Sequence, residues 1–305
     1  MEIQQAIMRQ CDIVTLFALM HDRYFESLAR EEIERWYKQV LSKFTPDPEG
    51  LRGMMRDTGA VISGSTALWF LTREPERWVP EDLDIITGRD KFREVVEYVK
   101  GMLKDPRVTT LTHKSNHDYY PVAAYEGRVQ IEAGAIRIEV LQARVQSPFY
   151  AIPFYWSTHL MNAIAADAVV CGYPELTLRK VGIMRHNDDF SIFGPTEATY
   201  KKYTRRGFKL YDDGRRVVDT TGGCRGYIGC GQRDRIFGDG WTMVIPTGQQ
   251  TVMEAAETMR GKEVTAWRLG GGACGNGECF GRRYQMVIAT MEWEDEEGRA
   301  EDYSE

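Results

Sequence analysis

Gly59-Ala60-Val61-Ile62-Ser63-Gly64-Ser65-Thr66-Ala67-Leu68, followed by Asp82-Leu83-Asp84-Ile85-Ile86, is the stretch on which the fold turns. Residues 60–62 are a short apolar run that reads as a strand. A Gly-Ser turn follows, then a helix carrying Ala67, Leu68, Trp69, Phe70 and Leu71. The second segment reads as another strand with two aspartates one residue apart. Residues i and i+2 of a strand share a face, so Asp82 and Asp84 project together while Leu83 and Ile85 face a core. Two carboxylates on one face repel unless a cation lies between them. A hard divalent ion such as Mg²⁺ is held by one or two carboxylates plus substrate phosphates. Gly64 lets a phosphate approach the backbone closely. The amides of the following helix N-terminus and the Ser65 hydroxyl supply donors. A phosphate cradle beside a carboxylate pair outlines a metal-dependent nucleotide site.

Downstream, residues 90–103 carry Phe92, Val95, Val96, Val99, Met102 and Leu103 as a helical apolar stripe, with Asp90 suited to cap it. Residues 108–112 are rich in strand formers. Residues 128–133 and 135–142 form a predicted hairpin with Gly134 at the turn. In its second strand Ile136, Ile138 and Val140 alternate with Arg137, Glu139 and Leu141, so Glu139 lies opposite the β-branched face. Glu139 is the candidate third carboxylate and Glu132, across the hairpin, its competitor.

These residues resemble the nucleotidyltransferase superfamily with the polymerase-beta-like fold. The wording SGSTAL…EDLDI is most similar to AbiEii/MenT-type nucleotidyltransferases and fungal relatives. The resemblance spans residues 59–180. It implies an α+β fold, a mixed β-sheet flanked by helices. It also implies a two-metal transfer of a nucleotidyl group from an NTP, with Mg²⁺ or Mn²⁺ held by Asp82, Asp84 and Glu139. Glu139 stands where many members have Asp, and would activate the acceptor hydroxyl. Gly64, Ser65, Thr66 and Lys180 would position the triphosphate. The acceptor is left open between an RNA end, a protein hydroxyl and a small molecule. The separation from Ser65 to Asp82 exceeds the family's usual spacing, and the extra residues, 73–80, read as a polar surface loop. Two other classes remain: a catalytically silent nucleotide-binding or regulatory protein of the same fold, and a glycosyltransferase using the Asp-x-Asp pair.

The rest of the chain frames this unit. With 305 residues, 43% hydrophobic and 28% charged, the composition is that of a globular protein. A formal charge of -6 argues against a surface that coats nucleic acid. No apolar run reaches the roughly 18 residues of a membrane span, and the N-terminus lacks a signal pattern. The expectation is a cytoplasmic protein with no membrane contact. The spacing predicts an N-terminal helical extension (1–50), with Leu28, Ile33, Trp36, Tyr37, Val40 and Leu41 packing on the main unit. The nucleotidyltransferase-like domain with its following helices covers 51–206. Within it residues 158–164 and 176–185 read as helices, the latter carrying Lys180. The run Tyr200-Lys201-Lys202-Tyr203-Thr204-Arg205-Arg206 offers Lys201, Lys202, Arg205 and Arg206 to an RNA backbone, against the simpler reading of a solvated helix face.

From residue 207 to 292 glycines become dense, which suggests a small α+β or β-rich subdomain, with strands near 241–245 and 283–291 and a helix at 252–260. Residues 293–305 form an acidic tail. Cys224, Cys230, Cys274 and Cys279 are candidate ligands of a structural Zn²⁺, although both pairs are spaced wider than a two-residue knuckle. Reduced thiols and a labile disulfide are the alternatives. Cys11 and Cys171 read as buried thiols. His113 and His117, with Asp118, have helical metal-ligand spacing in a polar segment and read as surface histidines.

Overall fold

The structure is a computed structural model. It describes residues 2–111, 123–184, 195–212, 217, 234–248, 250–260, 263–269 and 287–292. The chain begins with α1 (Glu2–Gln10), α2 (Ile13–Leu19), α3 (Glu26–Leu41) and α4 (Pro48–Thr58). Asp47 caps α4 by accepting from the Gly50 amide, and Pro48 takes the first helical turn, where its missing N–H is not needed. Gly59 ends α4 in the left-handed conformation, φ 70°.

Then come β1 (Val61–Ser63), α5 (Gly64–Thr72), β2 (Leu83–Thr87), α6 (Phe92–Met102), β3 (Arg107–Thr110), β4 (Tyr125–Ala133) and β5 (Ile136–Ala143). The predicted hairpin forms as read, with Gly134 at φ 60° in its turn. Asp90 does not cap α6. It lies in a 3₁₀ turn, Arg89–Lys91, and the helix starts at Phe92.

The next segment departs from expectation. Residues 158–164 are not a helix. A 3₁₀ turn, Thr158–Leu160, leads into β6 (Asn162–Ile164), followed by β7 (Ala168–Cys171). Ala163 and Ile164 are fully buried between β1 and β7, and this sheet environment overrides local propensity. Of the predicted helix 176–185, residues 178–184 are not helical, and residue 185 lies outside the described residues. The helical part is α7 (Pro174–Thr177), and Lys180 takes a left-handed backbone, φ 56°, before β8 (Val181–Ile183). Then follow α8 (Glu197–Arg205), β9 (Lys209–Tyr211), β10 (Arg235–Ile236), β11 (Met243–Pro246), α9 (Val252–Arg260), β12 (Glu263–Arg268) and β13 (Val287–Glu292).

One mixed eight-stranded sheet organises these elements, in the order β11-β7-β6-β1-β2-β5-β4-β3. β1 and β2 are antiparallel, and β2 and β5 parallel. Both faces are covered, so the central strands read as nearly continuous apolar runs. On one face Ile62, Leu83, Ile85, Ile138 and Val140 join a core with Ile33, Trp36 and Val40 of α3 and Val95 of α6. On the other, Val61, Ile86 and Leu141 pack beneath Phe149, Ile152 and Tyr203. The N-terminal helices therefore form one layer of the main core. The C-terminal elements are also built into the structure: β11 is an edge strand of the large sheet, and Phe237 and Trp267 stack at 4.5 Å inside the second core. The four cysteines considered for zinc, and His113 and His117, lie outside the described residues. Cys171 is buried, and burial pushes its thiol up to about 12; Cys11 is only partly buried. No helix among the described residues is long and apolar enough to cross a membrane.

The loop at 73–80, read as a surface insertion, is anchored inward. Arg73 ends α5 with φ 47°, and its side chain, 7% exposed, pairs with Glu32 at 2.7 Å on α3. Burial opposes ionisation of Glu32, but hydrogen bonds from Arg35 and Arg73 outweigh it and hold the carboxyl below its ordinary value. Glu32→Gln should lower stability by about 3 kcal/mol at neutral pH by leaving a buried cation uncompensated. Because the folded carboxyl is depressed, the ion pair stabilises above the ordinary value of 4.5, and the advantage is lost as pH falls through the lower folded value. Urea unfolding of both proteins across that range should show the gap closing on the acid side.

Candidate functional site

The second face of the sheet carries the carboxylates. Register places Asp84 opposite Ser63 on β1 and opposite Glu139 on β5. Asp82, just before β2, belongs to the same face. Asp84 and Glu139 are both buried, at 8% and 7% exposure, whereas the Asp82 side chain is 24% exposed and opens toward solvent. Asp84 and Glu139 are thus register partners on one face, with Asp82 at its edge just before β2.

Gly64 begins α5 at the same point. Its φ is 63°, a conformation that L side chains rarely adopt, and a Cβ there would fall 2.1 Å from Asp84 Oδ2. The Asp84 carboxylate thus lies against the backbone at a helix N-terminus, where free amides and the helix dipole favour negative charge. Ser63, at the cap position, does not cap with its side chain; its hydroxyl donates to the Asn162 carbonyl at 2.6 Å. The Ser65 hydroxyl is 3.4 Å from Asp82 Oδ1. Thr66 plays a structural part, donating to the Asp82 carbonyl at 2.9 Å.

Two arginines to which the sequence reading gave no role balance this charge. Arg128 of β4 donates from Nε and Nη2 to the two oxygens of Glu139 at 3.0 and 2.9 Å. Arg137 of β5 lies 3.7 Å from Asp82 and 3.9 Å from Glu81, and its buried Nε has no hydrogen-bond partner. The alternation along β4 and β5 that places Glu139 also places these cations on its face, and the antiparallel register was the signal that could have found them. The competitor Glu132 accepts instead from Gln130 at 2.8 Å. Among the described residues no group of three or more His, Cys, Asp or Glu side chains is arranged to hold a metal ion.

Aromatic residues roof the site. Burial, and the negative charge of Asp84, raise the Tyr125 phenol, which hydrogen bonds with Tyr155. Tyr203 of α8 is raised by burial and by Asp84 and Asp82, and lowered by Arg206. His159 is fully buried between Tyr203 and Phe208, with ring centroids at 4.6 and 4.8 Å. Burial, then the nearby Arg206 charge, push it down to about 3, so it is a neutral core histidine whose Nδ1 meets Ser157 Oγ at 2.9 Å.

The basic run is divided by its helix. Lys201 pairs with Glu197 on the exposed side, and Arg205 is exposed. Lys202 is half-buried, its ammonium 6.0 Å from the Tyr203 ring. Arg206 is buried, its guanidinium 3.8 Å from the centre of the Trp78 ring. It therefore faces the interior instead of an external RNA backbone. Lys180 is not on a helix, and its ammonium pairs with Glu74.

Compared with protein-family models, curated proteins and solved structures, the chain finds no match.

Gly64→Ala combines a disfavoured backbone with a collision against Asp84 and should cost about 2 kcal/mol of stability. Urea unfolding measures it; an unchanged midpoint would show that Asp84 moves aside freely.

Proposed function

We propose that this chain is a metal-dependent nucleotidyltransferase. One observation carries the reading: Asp84 is the register partner of Glu139 on a parallel neighbour and abuts Gly64 at the N-terminus of α5. A strand, a glycine-initiated helix, an acidic strand and a second acidic strand beside it are the parts this chemistry uses. The parts also occur in the chain order of the resemblance to the polymerase-beta-like superfamily.

The donor set fits magnesium in the form that ion prefers. Mg²⁺ is usually held by one or two carboxylates and completed by substrate phosphates and water. Asp82 and Asp84 would be its ligands. Glu139 would join them through oxygen lone pairs that Arg128 leaves free, since an ionised carboxylate has about four acceptor sites. A bound metal ion would neutralise charge on the phosphates and on the leaving pyrophosphate. Gly64 keeps the backbone clear for a phosphate, and Ser65 and the amides of the first turn of α5 are the donors for it. Arg137, with its unused Nε, is a fixed cation beside Asp82. In the reaction an acceptor hydroxyl would give its proton to the Glu139 carboxylate and attack the α-phosphorus of the NTP. The α–β bridging bond breaks and pyrophosphate leaves.

A second reading is favoured by one observation: Glu139 is already engaged at both oxygens by Arg128. A nucleotide-binding protein without turnover would tolerate that arrangement. Incubation with each α-labelled NTP, Mg²⁺ or Mn²⁺, and total RNA or protein extract separates the two. The transferase reading predicts labelled acceptor with native protein. Asp82→Asn and Asp84→Asn should each reduce labelling by more than about a hundredfold, beyond the effect typical of groups that only orient a ligand. Saturable nucleotide binding with no label from any NTP would favour the silent protein. Neither binding nor label would overturn both.

A further inference from the structure

The loop at 73–80 brings a carboxylate onto a cluster of cations at the border of this site. Lys180 Nζ lies 2.5 Å from Glu74 Oε1, and Arg77 Nη1 lies 3.3 Å from the same oxygen. Arg206 stacks on Trp78 of the loop and lies 5.1 Å from the ring centre of Tyr203, the phenol that feels both Asp82 and Asp84. A Cβ on Gly207 would come to 3.8 Å from Lys180 Nζ and 3.7 Å from Arg77 Nη1. Three cations thus converge where the loop meets the end of α8, and Glu74 is the acidic side chain bonded to two of them. This positive excess stands out in a chain of formal charge -6.

Two further observations set the contact apart from an ordinary surface ion pair. Glu74 Oε2 is buried and accepts no hydrogen bond, so half of the carboxylate is unsatisfied in a place where that is unfavourable. Lys180 is held in a left-handed backbone, its N–H donating to the Thr177 carbonyl at 3.0 Å and its carbonyl accepting from the Lys209 amide at 2.8 Å. A non-glycine residue in that region costs free energy, and such residues concentrate at ligand clamps and switches. The Lys180 backbone is therefore fixed. The carboxylate arrives on a loop whose Pro75, Glu76, Arg77 and Val79 are exposed.

We propose that Glu74 is an internal stand-in for a polyphosphate anion, latching the 73–80 loop onto Lys180 until such an anion displaces it. The reading of the anion as the β,γ-phosphates of an NTP rests on the nucleotidyl-transfer proposal; the latch itself does not. A phosphate chain carries more charge and more acceptor oxygens than one carboxylate, so it satisfies the same donors better. Displacement frees the loop while Arg73 stays anchored on Glu32 and Trp78 on Arg206, making residues 74–77 the moving part. A closed latch lowers apparent affinity by the fraction of open molecules.

Calorimetric titration of the metal-free full chain with inorganic tripolyphosphate tests this. Glu74→Gln should bind roughly fivefold tighter or more than native protein. Glu76→Gln, which removes the same charge from an exposed neighbour, should bind as native protein does. Lys180→Gln in the Glu74→Gln background should abolish the gain. Equal tightening by both glutamine variants would reduce the effect to net charge and overturn the latch. So would no tightening by Glu74→Gln or no binding in any variant. Tightening without any NTP labelling would leave the latch standing and remove the transferase; labelling without tightening would do the reverse.

Discussion

Asp84 sits on a central strand of a sheet covered on both sides, and that placement constrains everything around it. A buried carboxylate needs compensating charge or hydrogen-bond donors. Its neighbours on the same face are a glycine at a helix N-terminus, a second carboxylate, Glu139, and a ring of phenols. Glu139 meets the same demand with Arg128, and Asp82 lies near Arg137 at the more open end. The sheet positions on the opposite face carry branched aliphatic side chains packed against the N-terminal helices, whose own buried ion pair is Arg73–Glu32. The sheet's carboxylates are thereby kept to one side, and packing stability comes from both.

Much of this was legible because it is written in local alternation. Residues 60–72 and 82–87 announce strand, turn, helix and strand, and the period-two pattern of 136–141 puts Glu139 on the correct face before any register is known. The helix at 252–260 and the N-terminal apolar stripe followed from spacing in the same way. The failures have a common cause. Residues 162–164 and 181–183 are short segments without a clear period, and each becomes a strand because a partner is waiting, β1 and β7 for the first and β9 for the second. Lys180 in a left-handed backbone is not a position that sequence advertises. Arg128 and Arg137 lay in plain view as residue types, but their roles depend on which carboxylate the antiparallel register sets beside them.

The 73–80 loop joins layers that are otherwise separate. Arg73 reaches the helices on one face of the sheet through Glu32 and stacks near Trp36, while Trp78 and Glu74 reach α8 and Lys180 on the other. Polar and exposed by composition, it has its ends fixed by buried guanidinium contacts. The segment is thus tied to both cores and runs directly into Asp82.

Paramagnetic Mn²⁺ binding, followed by electron spin resonance with and without a non-hydrolysable NTP analogue, tests the central claim most directly. The account predicts ordered Mn²⁺ bound to native protein, strengthened by the nucleotide and lost in Asp84→Asn with the fold intact. Mn²⁺ binding that ignores the nucleotide, or that survives Asp84→Asn unchanged, would contradict it and leave the carboxylates as structural members of an arginine-paired sheet.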